Sequence, residues 1–356
     1  MIPIHSAFDA DFTPFTKDDV EHSIPEVFGH RTGSFADRIA IQSNSKSYTY
    51  RALNTAANRI AHAILDQLAR GNDPVAIFMS DTSDAVVAIL GALKAGKIYL
   101  PLDLSLPPSR LRYLIEDSRA RLIVAETKTL TAARVLSSVR NIPVLNMDFQ
   151  REGPDTAGDP DLPIPPDSLA SLLYTSGSTA QPKGVVQNHR NLLHMALRYT
   201  NSCRITYKDR IALLRTLTVS GGTLHSLGAL LNGASLLPFN LKRDDIADLA
   251  RWLRAREVTL CSFGPSLLRS IAEIMAAPES LPALRRVTLS GEPLYRADIE
   301  LCRRLFSPDC VLINSLGATE APLALQYRIN AKPEERIKFN RTIEVSLQTD
   351  EAGRIL

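Results

Sequence analysis

Short apolar runs alternate with segments of helical period along most of this chain, and that alternation restricts it to one fold class. Strands covered by helices on both faces read as nearly continuous apolar stretches, and the helices between them show a 3.6-residue period. The pattern is that of an α/β protein built on mainly parallel sheets. Residues 74–79 read as a buried strand, 84–95 as a helix and 98–103 as the next strand. A helix over 107–117 with proline near its first turn, a strand over 121–126, a helix over 129–140 and a strand over 143–148 follow. Residues 151–168 are rich in Pro, Asp and Gly without an apolar period and read as a surface connection.

A first α/β unit over 1–168 and a second over 169–322 follow from that break. The second sheet is expected to start at residue 169, with strands over 169–175, 185–188, 210–215, 234–239, 258–263, 286–290 and 310–315. From residue 323 the period changes to two, over 323–329 and 342–347, ahead of a turn signal at 350–353.

With 356 residues the chain is long enough for two core-bearing units. Its formal charge of +3 is small and its basic residues are interspersed with acidic ones, so no basic track for nucleic acid is present. Cys203, Cys261, Cys302 and Cys310 lack CxxC spacing, and the last three lie in or beside apolar runs. This predicts packed free thiols in a reducing compartment and no zinc site. The N-terminus carries no basic, apolar leader pattern and no run reaches the length of a membrane span, which predicts a cytoplasmic protein without membrane partners.

Residues 172–185 set hydroxyls, glycines and a lysine directly after an apolar run. Thr175, Ser176, Ser178 and Thr179 donate from side chain and backbone, Gly177 and Gly184 allow close approach, and Lys183 adds a point charge. Such a loop suits phosphate. It is not a Walker A loop, because Pro182 precedes Lys183 and biases Gln181 towards extended backbone, so no helix starts at the lysine. A second motif, residues 314–320, supplies what the loop lacks: Thr319 as a donor to an α-phosphate and Glu320 as a carboxylate for Mg²⁺. Alone, Gly-x-Thr-Glu is more often a helix N-cap with a first-turn acid.

Together these stretches resemble the adenylate-forming superfamily, most closely the adenylation domains of nonribosomal peptide synthetases. Residues 47–54 with 57–61 are similar to the first core motif of those domains, 93–103 with 110–113 to the second, 173–184 to the phosphate loop and 314–320 to the Tyr-Gly-x-Thr-Glu motif. The resemblance implies two helix-covered sheets packed together, then the start of a small β-barrel over 323–356. It implies ATP-dependent adenylation of a carboxylic acid, release of pyrophosphate, and transfer of the acyl group to the phosphopantetheine thiol of a carrier protein or to CoA. Under it, Thr175, Ser176, Gly177, Ser178, Thr179 and Lys183 hold the β- and γ-phosphates, Thr319 contacts the α-phosphate and Glu320 binds Mg²⁺. Adenine lies between the backbone of Gly291, Glu292 and Pro293 and the segment Asn314, Ser315, Leu316 and Gly317.

Four departures from the family pattern stand out. Ala180 replaces a usual glycine in the loop, and Leu316 replaces a tyrosine that would stack on adenine. Ser220 occupies the place of the aspartate that pairs with an amino acid's α-ammonium, and a serine cannot neutralise that charge. This predicts a small carboxylic acid without an α-amino group, or one held unusually. The remaining acyl pocket implied by the resemblance is Val219, Gly221, Leu224, Ser262, Thr288, Ser290, Ser315, Leu323 and Ala324. His225, beside apolar Leu224 and Leu227, reads as a packed residue rather than a base. Finally, the sequence stops at Leu356, before the family's ribose-binding aspartate and its small C-terminal domain with a catalytic lysine. The expectation is an N-terminal core that adenylates poorly by itself. An acyl-CoA ligase and a non-catalytic nucleotide-binding or interaction module are the other readings.

Overall fold

In the computed structural model, which describes residues 9–150, 158–175, 181–274 and 281–329, local capping chemistry sets where helices begin. Ser23, in extended conformation, accepts from the Glu26 amide and opens α1 (Ile24–Phe35), with Pro25 in its first turn. The strands β1 (Ile39–Gln42) and β2 (Ser47–Thr49) form a hairpin, and Thr49 caps α2 (Tyr50–Gln67) by accepting from the Ala52 amide. After β3 (Pro74–Phe78), Asp81 accepts two amides of the first turn of α3 (Thr82–Lys94). Gly96, at φ +69°, turns the chain into β4 (Ile98–Pro101). Then come α4 (Pro108–Asp117), β5 (Leu122–Ala125), α5 (Leu130–Ser137), β6 (Val144–Asn146), β7 (Leu169–Thr175) and β8 (Lys183–Asn188).

Asn188 caps α6 (His189–Cys203), which leads into β9 (Arg210–Leu213), α7 (Ser220–Leu230), β10 (Ser235–Pro238) and α8 (Ile246–Ala255). The described chain ends with β11 (Leu260–Phe263), α9 (Pro265–Ile274), β12 (Arg286–Ser290), α10 (Arg296–Leu305), β13 (Val311–Leu316) and β14 (Leu325–Arg328).

Two sheets result, ordered β6-β5-β3-β4-β7-β8 and β14-β13-β12-β11-β9-β10-β1-β2. All neighbours pair in parallel except the hairpins β1/β2 and β7/β8 and the edge pair β13/β14. The expectation that residue 169 starts a second sheet is corrected here. β7 and β8 complete the first sheet, whereas the early hairpin β1–β2 extends the second. Residues 323–329 are also reassigned: β14 is an antiparallel edge of the second sheet, and 342–347 lie outside the described residues.

Helices fill the space between the sheets and cover their outer faces. The central core joins α1, α2, α3, α6 and α7 to inward residues of both sheets, such as Val75, Ile77, Ile211 and Leu236. One outer core packs α4 and α5 on the first sheet through Leu111, Ile115, Ala133 and Leu136, and another packs α8, α9 and α10 on the second. Covering both faces explains the continuous apolar runs. Tyr50, from the first motif, is fully buried and donates to the carbonyls of Ala229 and Ala234 at 3.2 and 2.8 Å, tying α2 to the second sheet. Lys94 and Lys97, from the second motif, are buried too, Lys94 pairing with Asp159 and Lys97 with Asp73 at 2.8 Å. All four cysteines are buried and free, matching the expectation of packed thiols. No helix among the described residues is long and apolar enough to cross a membrane.

His189 illustrates how burial fixes a protonation state. It is fully buried at the positive end of α6, and its Nδ1 accepts from the Ile24 amide at 3.1 Å. A proton on Nδ1 would face that amide, and burial lowers the ring's pKa to about 4. The folded value lies below the unfolded one, so this stabilisation is complete above pH 6.5 and is lost as pH falls towards 4. The thermal midpoint is expected to fall across that window, and His189→Gln to flatten the fall; an equally steep fall in the variant would refute the assignment.

Candidate active site

The phosphate-type loop joins the two strands of the β7/β8 hairpin, in which Thr175 pairs with Lys183 and Tyr174 with Gly184. Lys183 opens a strand, two residues before its expected start, and no helix begins there, in keeping with the proline before it. A Cβ on Gly184 would lie 2.9 Å from Leu172 Cδ1 and 3.4 Å from the Tyr174 ring, so Leu172 would have to shift to admit a side chain here. Helix α4 steadies the hairpin: Tyr174 donates to Asp117 at 2.6 Å and Tyr113 to the Pro182 carbonyl at 3.4 Å. Ser176, Gly177, Ser178, Thr179 and Ala180 lie outside the described residues. Lys183 is exposed and has no ion pair among the described residues.

The second motif leaves β13 at a tight turn. A Cβ on Gly317 would come 2.7 Å from the Leu323 amide nitrogen, which explains glycine there. Gln187, on β8, donates from Nε2 to the Thr319 carbonyl at 2.8 Å across a sequence separation of 132 residues. This bond joins the two motifs, which hang from different sheets. Glu320 is exposed, without an ion pair among the described residues. An available carboxylate beside Thr319 and a lysine-bearing hairpin suits Mg²⁺, which takes oxygen ligands from one or two carboxylates and from phosphates.

Strand register gathers four residues of the expected acyl pocket. Ser262 lies opposite Thr288, and Ser290 opposite Ser315, which puts all four hydroxyl residues on one face of β11, β12 and β13. Ser262, Thr288 and Ser315 are buried and Ser290 is half-buried. Asn314 and Leu316 point to the opposite face, and Leu316 is exposed. Gly291 adopts φ +92°, a backbone that suits glycine. Glu292 accepts from the Ser266 amide and hydroxyl at 3.0 and 2.7 Å, bonds that hold its carboxyl below the usual range.

Ser220 and Gly221 form the first turn of α7, with exposed Val219 at the cap making no side-chain bond. A Cβ on Gly222 would run into the Thr216 carbonyl, so the 216–222 turn depends on that glycine. Leu224 and Leu323 are buried, and the Ala324 carbonyl accepts from Arg198 at 3.5 Å. His225 is buried against Tyr199, and burial pushes its pKa down to about 3, so it stays neutral and packed as its sequence context suggested.

Arg215, just past β9, escaped the sequence reading. Its Nη2 donates to the Ser290 carbonyl and hydroxyl at 3.1 and 3.0 Å. Burial lowers its pKa below the ordinary arginine range, Glu292's charge opposing the change, yet a guanidinium stays charged. Charged residues beyond a strand end are common on surfaces, so nothing local marked it. Arg215 also borders a cleft of about 320 Å³ at the C-terminal ends of both sheets, with Met79, Leu102, Asp103, Thr218 and Lys242. Such an edge is where open α/β sheets take ligands.

The family model described as AMP-binding enzyme matches residues 28–351. Surfactin synthase subunit 2 of Bacillus subtilis (strain 168) is 32% identical over 301 residues, covering 84% of this chain and 8% of that protein. Tyrocidine synthase 1 of Brevibacillus parabrevis is 29% identical over 272 residues, 76% of this chain and 24% of that protein. The chain thus spans a minor part of these relatives. Among solved structures, VinN in complex with L-aspartate superposes with a TM-score of 0.76 at 25% identity, over 85% of this chain and 78% of that one. The AMPPNP-bound form of the nonribosomal peptide synthetase FmoA3 has a TM-score of 0.79 at 24% identity, over 92% and 36%, and shows the shared fold.

Proposed function

Because the chain belongs to the AMP-binding enzyme family, we propose that it forms acyl adenylates from a carboxylic acid and ATP for transfer to a carrier-protein thiol. The observation that carries this reading is the Gln187 to Thr319 bond. It ties the strand that Lys183 opens to the turn that carries Thr319 and Glu320, which supports reading the two motifs as one site, with donors and a cation from one and a donor and a carboxylate from the other.

In the proposed reaction a carboxylate oxygen bonds to the α-phosphorus while the bond to pyrophosphate breaks. A thiolate then attacks the acyl carbon and AMP leaves. Thr175 and Lys183, with residues 176–179, hold the β- and γ-phosphates, and Thr319 donates to the α-phosphate. Glu320 would hold Mg²⁺, which neutralises phosphate charge when bound. Adenine rests against the backbone of residues 291–293 and of 314–317, with Leu316 giving apolar contact in place of stacking. Positioning and charge neutralisation dominate such a reaction. The carrier acceptor rests on the peptide-synthetase relatives. The C-terminal ends of the strands offer the acid Ser262, Thr288, Ser290 and Ser315 on one face, with Ser220, Gly221 and Leu224 from α7 and Val219, Leu323 and Ala324 at the margin. VinN's complex with L-aspartate supports a small polar acid there.

Ser220 at the start of α7 offers no carboxylate to an α-ammonium, so acids lacking that group are the favoured substrates. In an ATP–pyrophosphate exchange screen, deaminated acids should outperform the matching α-amino acids by about tenfold or more. Ser220→Asp should narrow or reverse the difference. Equal rates for both series in the unaltered protein would defeat the reading.

A further inference from the structure

The pocket contains a cation that the adenylation reading leaves unassigned. Arg215 starts beyond β9 and reaches β12, two strands away across β11, where Ser290 accepts twice from its Nη2. Gly221 leaves room for that path, since a Cβ there would lie 2.6 Å from Arg215 Cδ, and the backbone of Gly291 lies alongside Nη2. The guanidinium is therefore threaded between the start of α7 and the turn after β12, at the end of the hydroxyl-lined face. It is half-buried, and no carboxylate is within ion-pair distance among the described residues. Glu292, whose charge acts on it from beyond ion-pair distance, accepts from the Ser266 amide and hydroxyl. The neighbouring His225 is neutral. A half-desolvated guanidinium bonded only to neutral oxygens retains donors for an anion, and its planar fork matches a carboxylate.

Resting on the reading that this face takes the acid, we propose that Arg215 pairs with a second carboxylate, so that the substrate is a dicarboxylic acid. One carboxylate attacks the α-phosphorus, and the distal one is unchanged and held by Arg215. Ser220 agrees with this assignment, because a site built around a free guanidinium repels an ammonium rather than inviting it.

The test compares each diacid from malonate to adipate with its monoamide, in which a neutral isostere replaces one carboxylate. Binding to the full chain is measured by calorimetry with a non-hydrolysable ATP analogue present, and exchange kinetics are measured in parallel. At least one diacid should bind roughly 10- to 100-fold more tightly than its monoamide. Arg215→Gln should abolish the difference, and Arg215→Lys should retain part of it. Equal binding of every pair, or no binding of any diacid, overturns the proposal. So does an Arg215→Gln protein whose KM rises for ATP while its acid preference survives, since Arg215 would then serve phosphate. If Arg215→Gln fails to fold, the diacid and monoamide comparison in the unaltered protein decides by itself. A diacid preference without any exchange would refute the adenylation reading and leave the Arg215 pairing standing.

Discussion

Asp209→Ala is expected to lower the free energy of unfolding by about 3–5 kcal/mol, the usual cost of stripping one partner from a buried ion pair. The Asp209 side chain is fully buried, and Arg285 beside it is only 11% exposed. Arg285 donates to both carboxylate oxygens, at 2.8 and 2.5 Å, and also to the carbonyls of Cys203 and Arg204. Thr259 and the Thr206 amide complete the set on Asp209 at 2.6 and 2.8 Å. One carboxylate thus fastens the starts of β9, β11 and β12 to the end of α6. Losing it strips an interior guanidinium of the carboxylate that takes two of its bonds. Urea titration should show a lower midpoint at unchanged slope, with Asp209→Asn falling between the two. The exposed pair Arg51–Asp37 supplies the control, for which Asp37→Ala should change stability by at most about 0.5 kcal/mol. A similar loss in both variants would mean that the buried network has no special weight.

The largest effect on activity is expected at Glu320. Under the proposed function, Glu320→Gln removes the carboxylate for the metal while keeping size and hydrogen-bonding capacity. Pyrophosphate exchange should fall by roughly 100- to 1000-fold, the range seen when a group stabilising transition-state charge is removed. The activity that remains should need more Mg²⁺ for half-saturation, and acid binding should be unaffected. Because Glu320 is exposed, folding should not change, and thermal unfolding checks this. Unaltered exchange in the Glu320→Gln protein would remove Glu320 from the proposed metal site, whereas no exchange with any acid in the unaltered protein would favour a non-catalytic nucleotide-binding module.

Most elements of the fold were legible as local pattern. The strand and helix segments between residues 74 and 148 are found within a few residues of their expected bounds, because apolar period and proline or N-cap signals act over single turns. The early hairpin β1–β2 carried too short a pattern to register, as strands of four and three residues leave no period to read. Sheet membership was not local information. Leu169–Thr175 has the same buried-strand pattern whichever sheet receives it, so a break in composition at 151–168 was a poor guide to the sheet boundary.

The candidate site divides in the same way. Residue types and spacing in 172–185 and 314–320 were sufficient to suggest phosphate and a metal carboxylate, since those groups need hydroxyls, glycines, a lysine and an acid close along the chain. Arg215 was invisible by that criterion: its meaning comes from Gly221, Ser290 and Gly291, which approach it only after β9, β11 and β12 are aligned.

The sequence by itself determined the α/β class, the packed free thiols, the absence of a helix start at Lys183 and the two motifs proposed to bind nucleotide, all consequences of short-range sterics, periodicity and residue chemistry. Tertiary structure alone decided that the β7/β8 hairpin closes the first sheet, that Gln187 meets Thr319, and that Arg215 reaches Ser290. Pairing of parallel strands is a contest among distant partners, settled by which arrangement buries both faces of each sheet, and no local window of sequence contains that comparison.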